Sequence, residues 1–215
     1  MDRRDFSKQL AGAGLGLALA GSARAQGGAP EEGKHYVKLS TPVATSLPAG
    51  KKVEVIEFFW YGCPHCFALE PIITPWAKRL PADVAFRQMP FGYIGPVEHQ
   101  KLFYALEEIG QREALQHKIF TAIHVENKRI NSEADITAFI TSLGVDGAKF
   151  TEAWRSFAVN NKVSRGKTLS NGYKIDGVPA LGIHGRFYTG ATLAGSHERA
   201  LAVTDFLINR VRQGG

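Results

Sequence analysis

Cys63 and Cys66 are the only two cysteines in the 215-residue sequence, and Pro64 and His65 separate them. A pair at this spacing can open and close a disulfide or grip a soft metal ion. Thiolate, not thiol, is the nucleophile and the ligand, so the question is what ionises sulfur here. Pro64 suits the first position of a helix, where a backbone N–H lacks an intrahelical partner anyway. Cys63 is then expected at or just before a helix start, its sulfur near free backbone N–H groups. Pro64 offers none, so the donors are expected from His65 and Cys66. Those donors and the helix dipole favour thiolate. His65 adds a ring that can donate a hydrogen bond or carry charge beside the sulfur. Cys66 lies deeper in the helix and is expected to be less exposed. Cys63 is therefore read as the attacking or attacked sulfur and Cys66 as the resolving one.

The thiolate exists only in the reduced protein, so stabilising it makes the disulfide easier to reduce. One pKa unit is about 1.4 kcal/mol, on the order of 30 mV for a two-electron couple. A depressed Cys63 pKa thus turns the pair towards oxidant and makes Cys63 a good leaving group. The metal alternatives are weaker. A structural zinc site needs four ligands, usually from two such pairs, and the second pair is absent. A Cu(I) carrier is the remaining metal reading, but outside the N-terminal leader Met89 is the sole methionine. No metal and no cofactor is expected.

The elements that hold the pair follow from pattern. Val53 to Trp60 is rich in β-branched and aromatic residues and Gly62 ends it, which predicts a strand running into the cysteine helix. Glu57 lies in that strand. Alternation puts Val53, Val55 and Glu57 on one face and Glu54, Ile56 and Phe58 on the other. Both faces mix, so periodicity does not decide whether Glu57 is solvated. If buried, it would have a raised pKa and serve as a proton store for Cys66. The helix is expected to run to about Leu80, with Pro71 and Pro75 inside it and a kink at Pro71. Val84 to Met89 reads as the next strand, and His35 to Leu39 as a short one.

From Pro96 the period becomes helical. Leu102, Phe103, Leu106 and Ile109 mark one helix, stopped by Gly110, and 114–125 a second. Ser132 and Asp135 have capping-box spacing before a third, which Gly144 follows. Shorter helices are expected over 150–157 and 158–169. Then strand character returns: Gly177 to Ile183 is read as a strand, His184-Gly185 as a turn, Arg186 to Tyr188 as the return strand. Ser196 caps a last amphipathic helix. The pattern predicts an α/β domain, residues 35–95 and 167–215, interrupted by an all-helical insertion, 96–166. Pro179 stands at the start of a strand, where a trans bond is the usual reading. A cis bond there would turn the Val178 backbone outward, free to pair with an extended peptide.

Residues 1–25 read as a cleaved export signal: charged start, Ala/Gly/Leu run, and Ala23-Arg24-Ala25 before the cut. Arg3-Arg4-x-Phe6-x-Lys8 resembles a twin-arginine signal; an ordinary secretory signal beginning with two arginines is the alternative. Either leads to an oxidising compartment. Residues 26–34 read as a flexible leader. The whole chain carries 26 Lys and Arg against 20 Asp and Glu. The signal holds four of those bases and two of those acids, which leaves a net charge of +4 with no basic block. Nucleic acid is therefore not an expected partner.

Glu57-Phe58-Phe59, Cys63-Pro64-His65-Cys66 and Gly177-Val178-Pro179, with a helical insertion between, resemble the DsbA family. Glu32 to Tyr36 and Ala153-Trp154, Ser156-Phe157 are also similar to it. The resemblance implies a thioredoxin fold, a cis-proline loop at Val178-Pro179, Glu57 as the buried acid, and donation of the disulfide to newly exported proteins. It implies reoxidation by a quinone-linked membrane protein of the DsbB type. A monomer is expected. An isomerase or reductase on the same fold would need a dimerisation domain or a reducing partner, and no segment looks like such a domain. The sequence departs from the family in one place. Family members can carry a lysine on the strand after the cysteine helix, near an acid of that helix. Glu70 matches the acid, but the strand offers Arg87 and Gln88.

Overall fold

The computed structural model describes residues 28–214; the export signal and the first residues of the leader lie outside them. Among the described residues, five strands and eight helices follow in order. β1 is Val37–Lys38, β2 Val53–Phe59, α1 Pro64–Lys78 and β3 Val84–Pro90. α2 (Val97–Glu108), α3 (Arg112–His124), α4 (Glu133–Ser142), α5 (Gly147–Arg155) and α6 (Phe157–Gly172) come next. β4 (Ala180–Ile183), β5 (Phe187–Thr189), α7 (Ala191–Ala194) and α8 (His197–Arg212) complete the chain.

The strands form one mixed sheet in the order β1-β5-β4-β2-β3. β2 runs parallel to β3 and antiparallel to β4, so it is interior to the sheet. All seven of its residues are buried. Val53 and Val55 pack with Leu69, Ile73 and Trp76 of α1 and Leu201 and Leu207 of α8. Ile56 and Phe58 join the core that reaches into α2–α6 through Phe103, Ile119, Phe120, Phe150 and Trp154. Helices therefore cover both faces, and each such side chain contributes about 1.5–3 kcal/mol on burial. This is why alternation fails in β2: neither face meets water.

Local chemistry sets the helix ends. Ser132 Oγ accepts from Asp135 N–H at 3.1 Å, and Gly144, at φ +91°, lies just past α4. Asp146 caps α5 and Ser156 caps α6, which places α5 earlier than expected and extends α6 at both ends. α6 is continuous across residues 166 and 167, where the sequence reading returned to the sheet domain. Pro71 and Pro75 both sit inside α1 on its exposed side. Each removes one intrahelical bond without bringing its ring into the core.

Two further expectations change. Residues 31–34, expected in the flexible leader, form a turn in which Gly33 N–H donates to Tyr36 O at 2.8 Å. Tyr36 anchors it, buried against Phe187 and Phe206. The strand expected from Gly177 begins at Ala180, opposite Phe58, because Pro179 has no N–H for the ladder. The Val178–Pro179 peptide is cis, not the usual trans.

Candidate active site

β2 delivers the chain to Trp60, and a turn closed by Cys63 N–H to Trp60 O (3.0 Å) leads into α1. Cys63 is the N-cap of α1, with extended backbone (φ −87°, ψ 117°), and Pro64 opens the helix. The two thiols are free. The Cys66 thiol and the backbone N–H groups of Cys66 and His65 favour the Cys63 thiolate. Together they hold Cys63 well below the usual thiol range, at about 6, against the opposing effect of burial. The Cys66 thiol ranks first among these causes and the charge of His65 last. Burial pushes Cys66 the other way, well above the usual thiol range, and the neighbouring Cys63 and Glu57 add to it. His65 itself is exposed.

Val178 and Pro179 come to this sulfur from the other end of the chain. Cys63 Sγ lies 3.5 Å from Val178 O. A groove of about 350 Å³ starts there, lined by His65, Val178, Pro179, Tyr188, Leu193 and others.

Glu57 is 2 % exposed. Its carboxylate accepts from Gln88 Nε2 at 2.9 Å. Desolvation pushes it up to about 7, Glu70 adds to the rise, and Gln88 and Arg112 oppose it. The charge network in doubt from the sequence therefore divides. Gln88 takes Glu57, Arg87 pairs with the buried Glu54 at 3.2 Å, and His117 bonds Glu70 at 3.0 Å.

The helical block also grips the turn before Cys63, a role that helix periodicity did not reveal. Trp60 Nε1–H donates to His99 Nδ1 (3.1 Å), whose other nitrogen bonds Ile130 O (3.0 Å). Tyr61 OH donates to Gln116 Oε1 at 2.8 Å, and His124 Nε2–H donates to Tyr61 O at 2.8 Å. His124 also stacks on Phe67 of α1 with ring planes 6° apart. The Trp60 indole lies across Gly95, where a Cβ would stand 2.1 Å from its Nε1. The available signal was polar residues at buried helix positions, which reads equally well as ordinary surface.

Among the described residues, no group of three or more His, Cys, Asp or Glu is placed to hold a metal ion. No described helix is long and apolar enough to cross a membrane. A sulfur with a lowered pKa at a helix start, one with a raised pKa behind it and a facing backbone carbonyl serve thiol exchange on a thioredoxin-type sheet; the class is a thiol:disulfide oxidoreductase. A family model described as "DSBA-like thioredoxin domain" matches residues 54–202. The thiol:disulfide interchange protein DsbA of Pseudomonas aeruginosa is 41% identical over 182 residues, 84% of this chain and 85% of that protein. The protein of the same name from Burkholderia cepacia is 40% identical over 199 residues, 92% and 93% of the two chains. The crystal structure of Pseudomonas aeruginosa DsbA superposes with a TM-score of 0.80 at 39% identity, over 85% of this chain and 94% of that one. The chain belongs to the DsbA family.

Proposed function

We propose that this oxidoreductase works as an oxidant, passing its Cys63–Cys66 disulfide to proteins folding after export. The asymmetry of the pair carries the reading: Cys63 receives three donors at a helix N-terminus while Cys66 is buried behind it. A client thiolate attacks Cys63 Sγ. The Cys63–Cys66 bond breaks, a client–Cys63 disulfide forms, and Cys66 leaves as a thiolate that takes a proton from Glu57. The second client thiolate then attacks the client sulfur of the mixed disulfide and expels Cys63 as a thiolate. The client is oxidised by two electrons and the pair is reduced. Pro64 leaves the sulfur's donors to His65 and Cys66, and His65 adds polarity at the exposed rim. Val178 and Pro179 hold the client segment alongside Cys63.

Reoxidation runs the other way. Cys63 attacks the disulfide of a quinone-linked membrane protein of the DsbB type, and Cys66 gives its proton to Glu57 before closing on Cys63. The reading places a monomer in the periplasm, with the inserted helices as a separate unit. Its support is the family resemblance and the export signal. Equilibration against glutathione redox buffers tests the direction. An oxidising potential is expected; a strongly reducing one, near that of a thioredoxin reductant, overturns it in favour of the reductase reading.

A further inference from the structure

We propose that Arg112, the first residue of α3, is a positioning residue for the proton step at Cys66, acting through the amide of Gln88; the proposal rests on Glu57 being the proton store.

The chain of bonds is short and directional. Arg112 Nη1 donates to Gln88 Oε1 at 2.7 Å, and Gln88 Nε2 donates to Glu57 Oε2 at 2.9 Å. An amide has one donor end and one acceptor end, whereas a guanidinium has donors only. Arg112 therefore fixes which end of Gln88 faces inward. With Oε1 held by Arg112, Nε2 must face Glu57, and a donor there favours the carboxylate. Without Arg112 the amide is free to turn over. Oε1 would then accept from the protonated acid and hold the proton in place.

The surroundings leave few other groups for this task. β3 supplies Arg87, but its guanidinium turns to Glu54. α1 supplies Cys66 and Glu70, and Glu70 is bonded to His117 of α3. β4 sets Leu181 in register with Glu57, which neither titrates nor donates. Arg112 also pairs with Glu113, but that partner is 89% exposed while the Arg112 side chain is only 20% exposed, so the outer pair is weak. The Phe103 ring, 5.4 Å from the guanidinium, fixes its inner position. Gln88 lies in register with Glu57 on the adjoining strand. The helical block thus reaches Glu57 through Arg112 and Gln88.

The test uses the reduced mature protein and glutathione disulfide. Cys63 first forms a mixed disulfide with glutathione. Cys66 then attacks Cys63 Sγ, the Cys63–glutathione bond breaks, glutathione leaves as thiolate, and the Cys66 proton goes to Glu57. The rate of this second step is followed against pH. Arg112→Met is expected to move the midpoint up by about one pH unit and to slow the step roughly tenfold below it. Arg112→Lys, which keeps a donor for Oε1, is expected to restore the wild-type midpoint. Gln88→Leu guards against a folding defect in the first variant. It is expected to match the shift of Arg112→Met, and the double variant to add nothing further. Loss of packing alone would slow the step without moving its midpoint and would overturn the proposal. Glu57→Gln separates the two readings. If it abolishes the Glu57 limb of the profile while Arg112→Met leaves that limb in place, the proposal fails and the proton-store reading stands. If Glu57→Gln changes nothing, both fail.

Discussion

The sulfur of Cys63 stands 3.5 Å from the carbonyl oxygen of Val178, a residue 115 positions further along the chain. β2 and β4 pair antiparallel, Phe58 opposite Ala180, so the residues just beyond each strand end are brought together. The carbonyl lies beside the place where a client sulfur would join Cys63, and an extended client segment bonded to that backbone would keep its sulfur in line.

On this geometry Cys63→Ala is expected to abolish disulfide transfer. Cys66→Ala keeps the less buried sulfur and removes the one that displaces a partner, so it is expected to accumulate mixed disulfides. Mass spectrometry of thiol-blocked protein reads both outcomes. A Cys66→Ala protein free of adducts would reverse the roles given to the two sulfurs.

The thiolate of Cys63 is expected to titrate near the value of about 6 set by its donors, visible as ultraviolet thiolate absorbance against pH. Cys66→Ala removes the largest of those contributions and His65→Ala the smallest. The midpoint is therefore expected to rise more in the first variant than in the second. Both keep the two backbone donors, so neither is expected to return Cys63 fully to the ordinary thiol range. A larger rise in His65→Ala would show that ring charge, not the paired thiol, dominates.

Glu57 gives stability a pH dependence of known sign. Between its ordinary value of 4.5 and about 7 the folded protein keeps a proton that the unfolded chain has lost. Stability therefore falls as pH rises through that window. Glu57→Gln removes the fall. In the disulfide form, where neither cysteine titrates, the variant is expected to gain over wild type as pH rises, by on the order of 3 kcal/mol above neutrality. Urea unfolding at about pH 5 and about pH 8 measures it. An equal difference at the two values would mean that Glu57 is ionised in the folded protein throughout.

Gly185 lies in the β4–β5 turn at φ +65°, and a Cβ there would stand 1.8 Å from Val43 O. Gly144, at φ +91°, has open space instead. Gly144→Ala is expected to lose only the left-handed backbone preference, about 1–2 kcal/mol. Gly185→Ala is expected to lose that and, in addition, the bond from Val43 N–H to Gly185 O at 2.7 Å. Thermal unfolding of the two variants compares them. Equal losses would mean that the segment around Val43 moves aside without cost.

The cysteine helix, its proline start and the caps at Ser132 and Ser196 were legible because each depends on neighbours within four residues. The strand Val53–Phe59 was legible as well, from its β-branched and aromatic content. Glu57 was not, since its burial depends on helices arriving from both ends of the chain. Its nearest donor, Gln88, was visible only as a departure from a family pattern. Its more distant cation, Arg112, falls at a helix start, where nothing nearby marks it. His99, Gln116 and His124 were hidden for a related reason: polar side chains at buried or half-buried helix positions look like surface until the partner they reach is known.

The sequence by itself determined that two sulfurs would sit at a helix start with donors around the first, because helix geometry acts over one turn. Only the tertiary structure decided which backbone faces that sulfur, which acid is dry and which cation holds the amide beside that acid. Those are contacts between segments far apart in the chain, and their energies depend on excluded water and on distances that no local pattern encodes.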